Sequence, residues 1–230
     1  MVNGIDIFRE HFDNYKDQYT VIGGFACDLL MSDAGLDFRQ TVDIDMVIIV
    51  EALTTEFAKA FWDFIEAGGY HTRQRSTGQP EFYRFIDPAN PSYPKMIELF
   101  SRPQNHVELQ ADTHLIPLHI DDEVSSLSAI LLNDDYYHFL LDGRTVTDGI
   151  SILDAEHIIP LKMKAWLDLK SKKAQGFHVN SRDIRKHRLD VFRLFPLIRE
   201  DLRISVPSSV GEDIQNFIAQ IRETDIRLTD

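Results

Sequence analysis

Apolar positions in residues 5–17 recur at helical spacing, with Ile5, Phe8, Phe12 and Tyr15 on one side and charged residues between them. Residues 20–22 read as a short buried strand that ends in Gly23-Gly24. The segment 25–31 reads as a helix whose amino end faces whatever the two glycines approach. A second strand is expected over 41–50, and a strong helix over 54–67 with Phe57, Phe61, Phe64 and Ile65 in the core and Gly68-Gly69 as its stop. Strands follow at 70–76, 81–86 and 95–100, the last two separated by the turn Asp87-Pro88-Ala89-Asn90-Pro91-Ser92.

From 113 to 153 the pattern is strand-like, with Asp142-Gly143 and Asp148-Gly149 as hairpin signals. The character then changes. Residues 160–175 predict a helix with Leu161, Ala165, Trp166 and Leu169 on one face and Gly176 as terminator. Another helix is expected over 181–195, capped by Ser181 and interrupted at Pro196. Ser209 with Glu212 reads as a capping box before Ile214, Phe217, Ile218 and Ile221. The pattern therefore predicts an α+β chain: a mixed sheet flanked by helices over 1–153, then a C-terminal helical lobe over 154–230. No internal repeat or low-complexity tract interrupts it.

The chain has 230 residues, 43% of them hydrophobic, enough for one substantial core or two small domains. No apolar run reaches ~18 residues, so no membrane span is expected. The N-terminus has no basic stretch followed by an apolar one, as a secretory signal would. A single cysteine, Cys27, excludes an internal disulfide and makes a reduced, cytoplasmic setting the default. A net charge of −13 argues against nucleic-acid binding until its distribution is considered. Residues 157–203 hold 12 Lys/Arg against 5 Asp/Glu, and the remainder 12 against 32. Such a basic segment suits a polyphosphate or an RNA backbone, and equally a solvated helical surface.

The candidate chemistry lies at the second strand. Asp43 and Asp45 are i and i+2, so they share a face about 6–7 Å apart along the backbone. Two hard carboxylates on one edge make a seat for Mg²⁺, which takes one or two carboxylates plus substrate phosphates. Gly23-Gly24 lets a backbone approach a phosphate-bearing ligand without a side chain in the way. Glu98, an acid within the otherwise apolar Met96-Ile97-Glu98-Leu99-Phe100, is the expected third carboxylate, since an acid there costs energy unless paired or metal-bound. Nucleotidyl transfer needs this set: metal ions on phosphate oxygens, an oriented hydroxyl, and cations on the developing charge. Arg39 and Thr41 read either as a phosphate contact and a loop-fixing hydroxyl, or as an ordinary loop arginine and strand starter. Lys162 or Lys164 either neutralises triphosphate charge or lies on a solvated helix face. Cys27, Trp62 and Trp166 read as core. The nine histidines show no close zinc-ligand spacing. Ser76-Thr77-Gly78-Gln79 reads as a mobile turn.

Gly23-Gly24, the block Arg39-x-Thr41-x-Asp43-Ile44-Asp45 and the later acidic strand resemble the DNA polymerase β-type nucleotidyltransferase superfamily, and within it the branch of AbiEii-type abortive-infection toxins. That branch carries a Pro-Leu-x-x-Lys-like helix start, similar to Ile159-Pro160-Leu161-Lys162-Met163-Lys164-Ala165. It also carries a Lys-Asp-x-x-Asp helix, whose spacing Lys186-His187-Arg188-Leu189-Asp190 matches with His187 in place of the first aspartate; Asp183 offers another acid one turn earlier. Glu98 stands where an aspartate is more usual, and the spacing from Gly24 to Asp43 is longer than in minimal members. The resemblance implies a nucleotidyltransferase-like fold and a Mg²⁺- or Mn²⁺-dependent enzyme that moves an NMP from an NTP to an RNA, tRNA-like, or to a protein hydroxyl. It implies a toxin–antitoxin or phage-defence setting with a possible antitoxin partner. Asp43, Asp45 and Glu98 would be catalytic and metal-binding, and Gly23, Gly24, Arg39, Thr41, Lys162 and Asp183 nucleotide-binding. The alternatives are a small-molecule, aminoglycoside-type nucleotidyltransferase and a catalytically silent member that binds nucleotide or a partner.

Overall fold

A computed structural model describes residues 2–74, 80–101, 130–131 and 133–223. These fall into two compact units: the described residues of Met1–Asp122 with Arg144–Asp154, and those of Glu123–Gly143 with Ala155–Asp230. The first unit holds α1 (Ile5–His11), β1 (Tyr19–Ile22), α2 (Gly23–Asp33), β2 (Asp43–Ile48), α3 (Thr55–Gly68), β3 (His71–Gln74), β4 (Pro80–Ile86), β5 (Met96–Phe100), β6 (Arg144–Thr147) and β7 (Ile150–Leu153). The second holds α4 (Asp134–Asp142), α5 (Ala155–Ala174), α6 (Ser181–Leu194) and α7 (Ser208–Glu223).

The strands form one mixed sheet in the order β3-β4-β5-β2-β1-β7-β6. β2 runs parallel to β5 and β1 parallel to β7, and the other neighbours are antiparallel. β1 is buried along its whole length, as its β-branched and aromatic sequence requires. β2 alternates at its start: Ile44 and Met46 are buried while Asp43 and Asp45 are half-buried on the other face. The core of this unit is aromatic. The Phe12 ring meets those of Phe8 at 4.8 Å, Phe64 at 5.2 Å, Tyr19 at 5.9 Å and Phe57 at 6.0 Å, which ties α1, β1 and α3 together. α3 starts where the Thr54 hydroxyl accepts from the Phe57 amide and stops at Gly69, left-handed at φ 63°.

The strand-like reading of 113–153 needs correction where it can be compared. Residues 134–142 are helix α4, because Asn133 caps them by accepting from the Tyr136 amide and Asp134 and Asp135 suit a positive helix start. Tyr136, Tyr137, Phe139 and Leu140 then fall on one buried stripe. Asp142-Gly143 accordingly ends a helix, and Asp148-Gly149, both at positive φ, is the true hairpin turn between β6 and β7. Residues 113–129, like the turn 76–79, lie outside the described residues.

In the second unit α5 begins at Ala155, ahead of Pro160, which sits in its second turn. α6 is capped by the Asn180 side chain rather than by Ser181. Ser209 lies inside α7, and its hydroxyl donates to Asp135 at 2.6 Å instead of closing a capping box. Trp166 on α5 packs edge-on against Phe217 on α7 at 5.1 Å, and His157 lies 4.4 Å from Phe139 on α4. Among the described residues no helix is long and apolar enough to cross a membrane.

Candidate active site

The strand register sets out a row of charge across the sheet. Ile22 on β1 pairs with Asp45 on β2, Asp45 with Glu98 on β5, and Glu98 with Arg84 on β4. Asp43 lies two residues before Asp45 on the same face, opposite Met96. Neighbouring strands are only ~4.8 Å apart, so Arg84, Glu98 and Asp45 stand side by side.

The glycine pair is built into this row. Gly23 turns the chain from β1 into α2 at φ 74°, and a Cβ placed there would come 1.7 Å from Asp45 Oδ2. The Asp45 carboxylate therefore rests on the glycine's bare Cα. A Cβ on Gly24 would meet Thr41 Oγ1 at 2.8 Å and Arg39 Nη2 at 3.1 Å. The structure thus brings Gly23, Gly24, Arg39, Thr41 and Asp45 to one spot at the start of α2, with Asp43 beside them on β2. Cys27 Sγ is 2.9 Å from the Gly23 carbonyl oxygen, inside the first turn of α2, and is fully buried as the core reading expects. Arg39 lies 5.2 Å over the Phe38 ring and 3.5 Å from the Gln40 carbonyl. A helix amino terminus presents unbonded N–H groups and a partial positive charge, so α2 with Arg39 offers an anion a place directly beside two carboxylates.

Glu98 has a partner on the other side. Its Oε1 is ion-paired to Arg84 Nε, with the two side chains only 13% and 20% exposed. Asp43, Asp45 and Glu98 do not gather as a three-donor group, and among the described residues no three His, Cys, Asp or Glu side chains are placed to hold a metal ion together. A hard divalent cation fits the donors that are present: two carboxylates on one strand face, with an anion-binding helix end next to them to bring phosphate oxygens as further ligands.

The residues expected from the helical lobe have other occupations. Lys162, only 5% exposed, donates from Nζ to Asp190 Oδ2 at 3.3 Å, and Asp190 is fully buried. Its charge is committed to this α5–α6 pair rather than held open for phosphate, because a buried ammonium needs a counter-ion. Arg193 Nη1 approaches the other Asp190 oxygen at 3.4 Å. Asp183 is exposed in the first turn of α6, where a carboxylate suits the helix dipole. Lys164 bridges Asp168 at 3.2 Å and Asp213 at 3.3 Å, and the Tyr136 hydroxyl donates to Asp213 at 3.0 Å. Burial pushes the Lys164 ammonium down, and the two carboxylates outweigh it, leaving its pKa above 10.5. Burial raises the Asp168 carboxyl despite Lys164, and burial with Asp213 raises the Tyr136 hydroxyl.

Two partnerships escaped the sequence reading: Arg84 with Glu98, and Lys162 with Asp190. Spacing gives a strand's faces but not its neighbours. The available signal for the first was the one arginine of β4 and the one charged residue of β5.

No family model matches the chain, and no curated protein does. Among solved structures, the chain is similar to the solution structure of the antibiotic-resistance factor ANT(2'')-Ia, with a TM-score of 0.38 and 13% identity over 97% of this chain and 94% of that one. The chemistry of the site rests on its own residues.

Proposed function

We propose that the chain is a divalent-metal-dependent nucleotidyltransferase that moves an NMP from an NTP to an acceptor hydroxyl. The observation that carries the reading is the packing of Asp45 on the bare Cα of Gly23, with Gly24 facing Thr41 and Arg39. It sets a carboxylate pair for a cation directly against a helix terminus and a guanidinium for phosphate. The amides at the start of α2 and Arg39 bind and orient the triphosphate. Thr41 packs on Gly24 and fixes the approach of the loop to the helix. Asp43 and Asp45 would hold Mg²⁺ or Mn²⁺, which when bound neutralises charge on the phosphate oxygens. The acceptor oxygen attacks the α-phosphorus, the bond from that phosphorus to the oxygen bridging to the β-phosphate breaks, pyrophosphate leaves, and the hydroxyl proton passes to water.

For the acceptor we favour RNA over a small cation. The basic segment supports this: Lys173, Arg182, Arg185 and Lys186 are exposed around the α5–α6 turn of a chain that is otherwise strongly acidic. The resemblance to AbiEii-type toxins points to a toxin–antitoxin or phage-defence setting. The test is incubation with each α-labelled NTP, Mg²⁺ or Mn²⁺, and tRNA or lysate, beside an Asp43→Asn/Asp45→Asn variant. Label moved by the wild type alone supports the reading, and the class of the labelled band names the acceptor. Absence of both transfer and metal-dependent NTP binding refutes it.

A further inference from the structure

We infer that Arg84 is a positioning residue that withholds Glu98 from the cation, so that the seat is the Asp43–Asp45 pair alone. The inference rests on the reading of that pair as a cation seat. It follows from the order of charges across the sheet, Arg84 on β4, Glu98 on β5 and Asp45 on β2, each directly opposite the next. Glu98 lies between a guanidinium and a carboxylate, and its Oε1 is paired to Arg84. Both side chains are mostly buried, so water does little to weaken their attraction. A carboxylate oxygen paired in this way already has a cation of its own, in keeping with the absence, among the described residues, of three acids placed to hold a metal ion together.

The arrangement has a chemical consequence. Three clustered carboxylates would bind a divalent cation tightly without substrate. Two carboxylates with a guanidinium two strands away bind it weakly, and phosphate oxygens must complete the coordination. Cation and triphosphate therefore enter as one complex, and the seat discriminates against a bare cation. Arg84 sets this by charge and by direction, touching neither metal nor nucleotide.

The experiment is Mn²⁺ titration followed by electron paramagnetic resonance, without nucleotide, on the wild type, Asp45→Asn, Arg84→Gln, Arg84→Lys, and Arg84→Gln/Glu98→Gln. The double variant replaces an ion pair by two neutral amides, so that no buried charge is left without a counter-ion. Circular dichroism checks each fold. The double variant is expected to bind Mn²⁺ within about twofold of the wild type, because Glu98 is not a ligand. Arg84→Gln, with Glu98 released, is expected to bind about five- to tenfold tighter, and Arg84→Lys to stay near the wild type. A tenfold or greater loss in the double variant shows Glu98 to be a ligand and overturns the inference. Unchanged or weaker binding in a folded Arg84→Gln also overturns it. Should Arg84→Gln not fold, the double variant decides alone. Mn²⁺ binding that Asp45→Asn leaves untouched overturns the acid-pair reading itself, a result distinct from either of these.

Discussion

Gly23→Ala is the most direct test of how the site is built. At φ 74° an alanine must adopt the left-handed region, which costs roughly 1–2 kcal/mol for a residue with a Cβ. The new methyl would also sit 1.7 Å from Asp45 Oδ2, which no adjustment of a few tenths of an ångström relieves. The Asp45 side chain must turn away, at a further ~0.5–1.5 kcal/mol if it leaves its rotamer. The sum, about 1.5–3.5 kcal/mol, corresponds to a fall of roughly 3–14 °C in Tm for a chain of this size. Gly24→Ala is the control. Its φ is not positive, and the atoms in the way are the ends of the Thr41 and Arg39 side chains. Alanine regains up to ~1 kcal/mol of helix propensity there, so its Tm should stay within a few degrees while nucleotide binding weakens through the displaced Arg39. Scanning calorimetry gives the two Tm values, and isothermal titration with Mn²⁺–NTP gives binding. For Gly23→Ala we expect binding to fall more than about tenfold, the worth of one charge-assisted ligand. A Gly23→Ala protein that melts and binds like the wild type would refute the contact between Asp45 and the glycine turn.

The buried Lys162–Asp190 pair predicts that Lys162→Met destabilises the protein by about 3–5 kcal/mol, toward the low end because Arg193 also reaches Asp190. Lys162→Met/Asp190→Leu should recover most of that loss in urea denaturation, and failure to recover would mean the pair does more than balance charge. Phe12→Ala should cost about 3–5 kcal/mol by the same measurement, since Phe12 packs at 0% exposure against the rings of Phe8, Tyr19, Phe57 and Phe64, among others. Lys164 is held protonated more firmly in the fold than out of it, so its contribution is fully present below 10.5 and lost as pH rises through its higher folded pKa. The Tm should therefore decline with pH in that alkaline range, and less steeply in Lys164→Met; equal slopes would place the alkaline sensitivity elsewhere.

The parts of the fold legible in sequence are those governed by local pattern. β2 alternates as period two requires, α3 shows its apolar stripe and its glycine stop, and the paired aspartates lie on one face because i and i+2 must. Gly23-Gly24 is legible as a place of close approach: Gly23 takes a positive φ, and the Asp45, Thr41 and Arg39 side chains lie where Cβ atoms on the pair would be. Helix α4 departs from the strand-like pattern of its sequence: Tyr136, Tyr137 and Phe139 are strong strand formers, and the Asn133 cap outweighs that preference. The cap of α6 shifted by one residue to Asn180 for a similar reason, since Asn and Ser serve equally well and only geometry chooses.

What local pattern cannot supply is the partner of a buried charge. From sequence, an acid inside 95–100 is costly unless paired or bound to metal, and with Asp43 and Asp45 upstream it is expected as the third carboxylate. Sheet order supplies a partner, because β4 lies beside β5 and brings Arg84 opposite Glu98. Strand order is a property of how distant segments meet, with Arg84 and Glu98 joined through a turn and Asp45 arriving by a parallel crossover. The same holds for Lys162 and Asp190, which sit 28 residues apart on two helices and are matched by packing alone. In both cases a charge that would be costly alone is stable because another element delivers its opposite, and each such pairing removes one group from the set available for catalysis. On the function proposed above, two aspartates would take the cation, and a glycine-opened helix end with one arginine would take the phosphates.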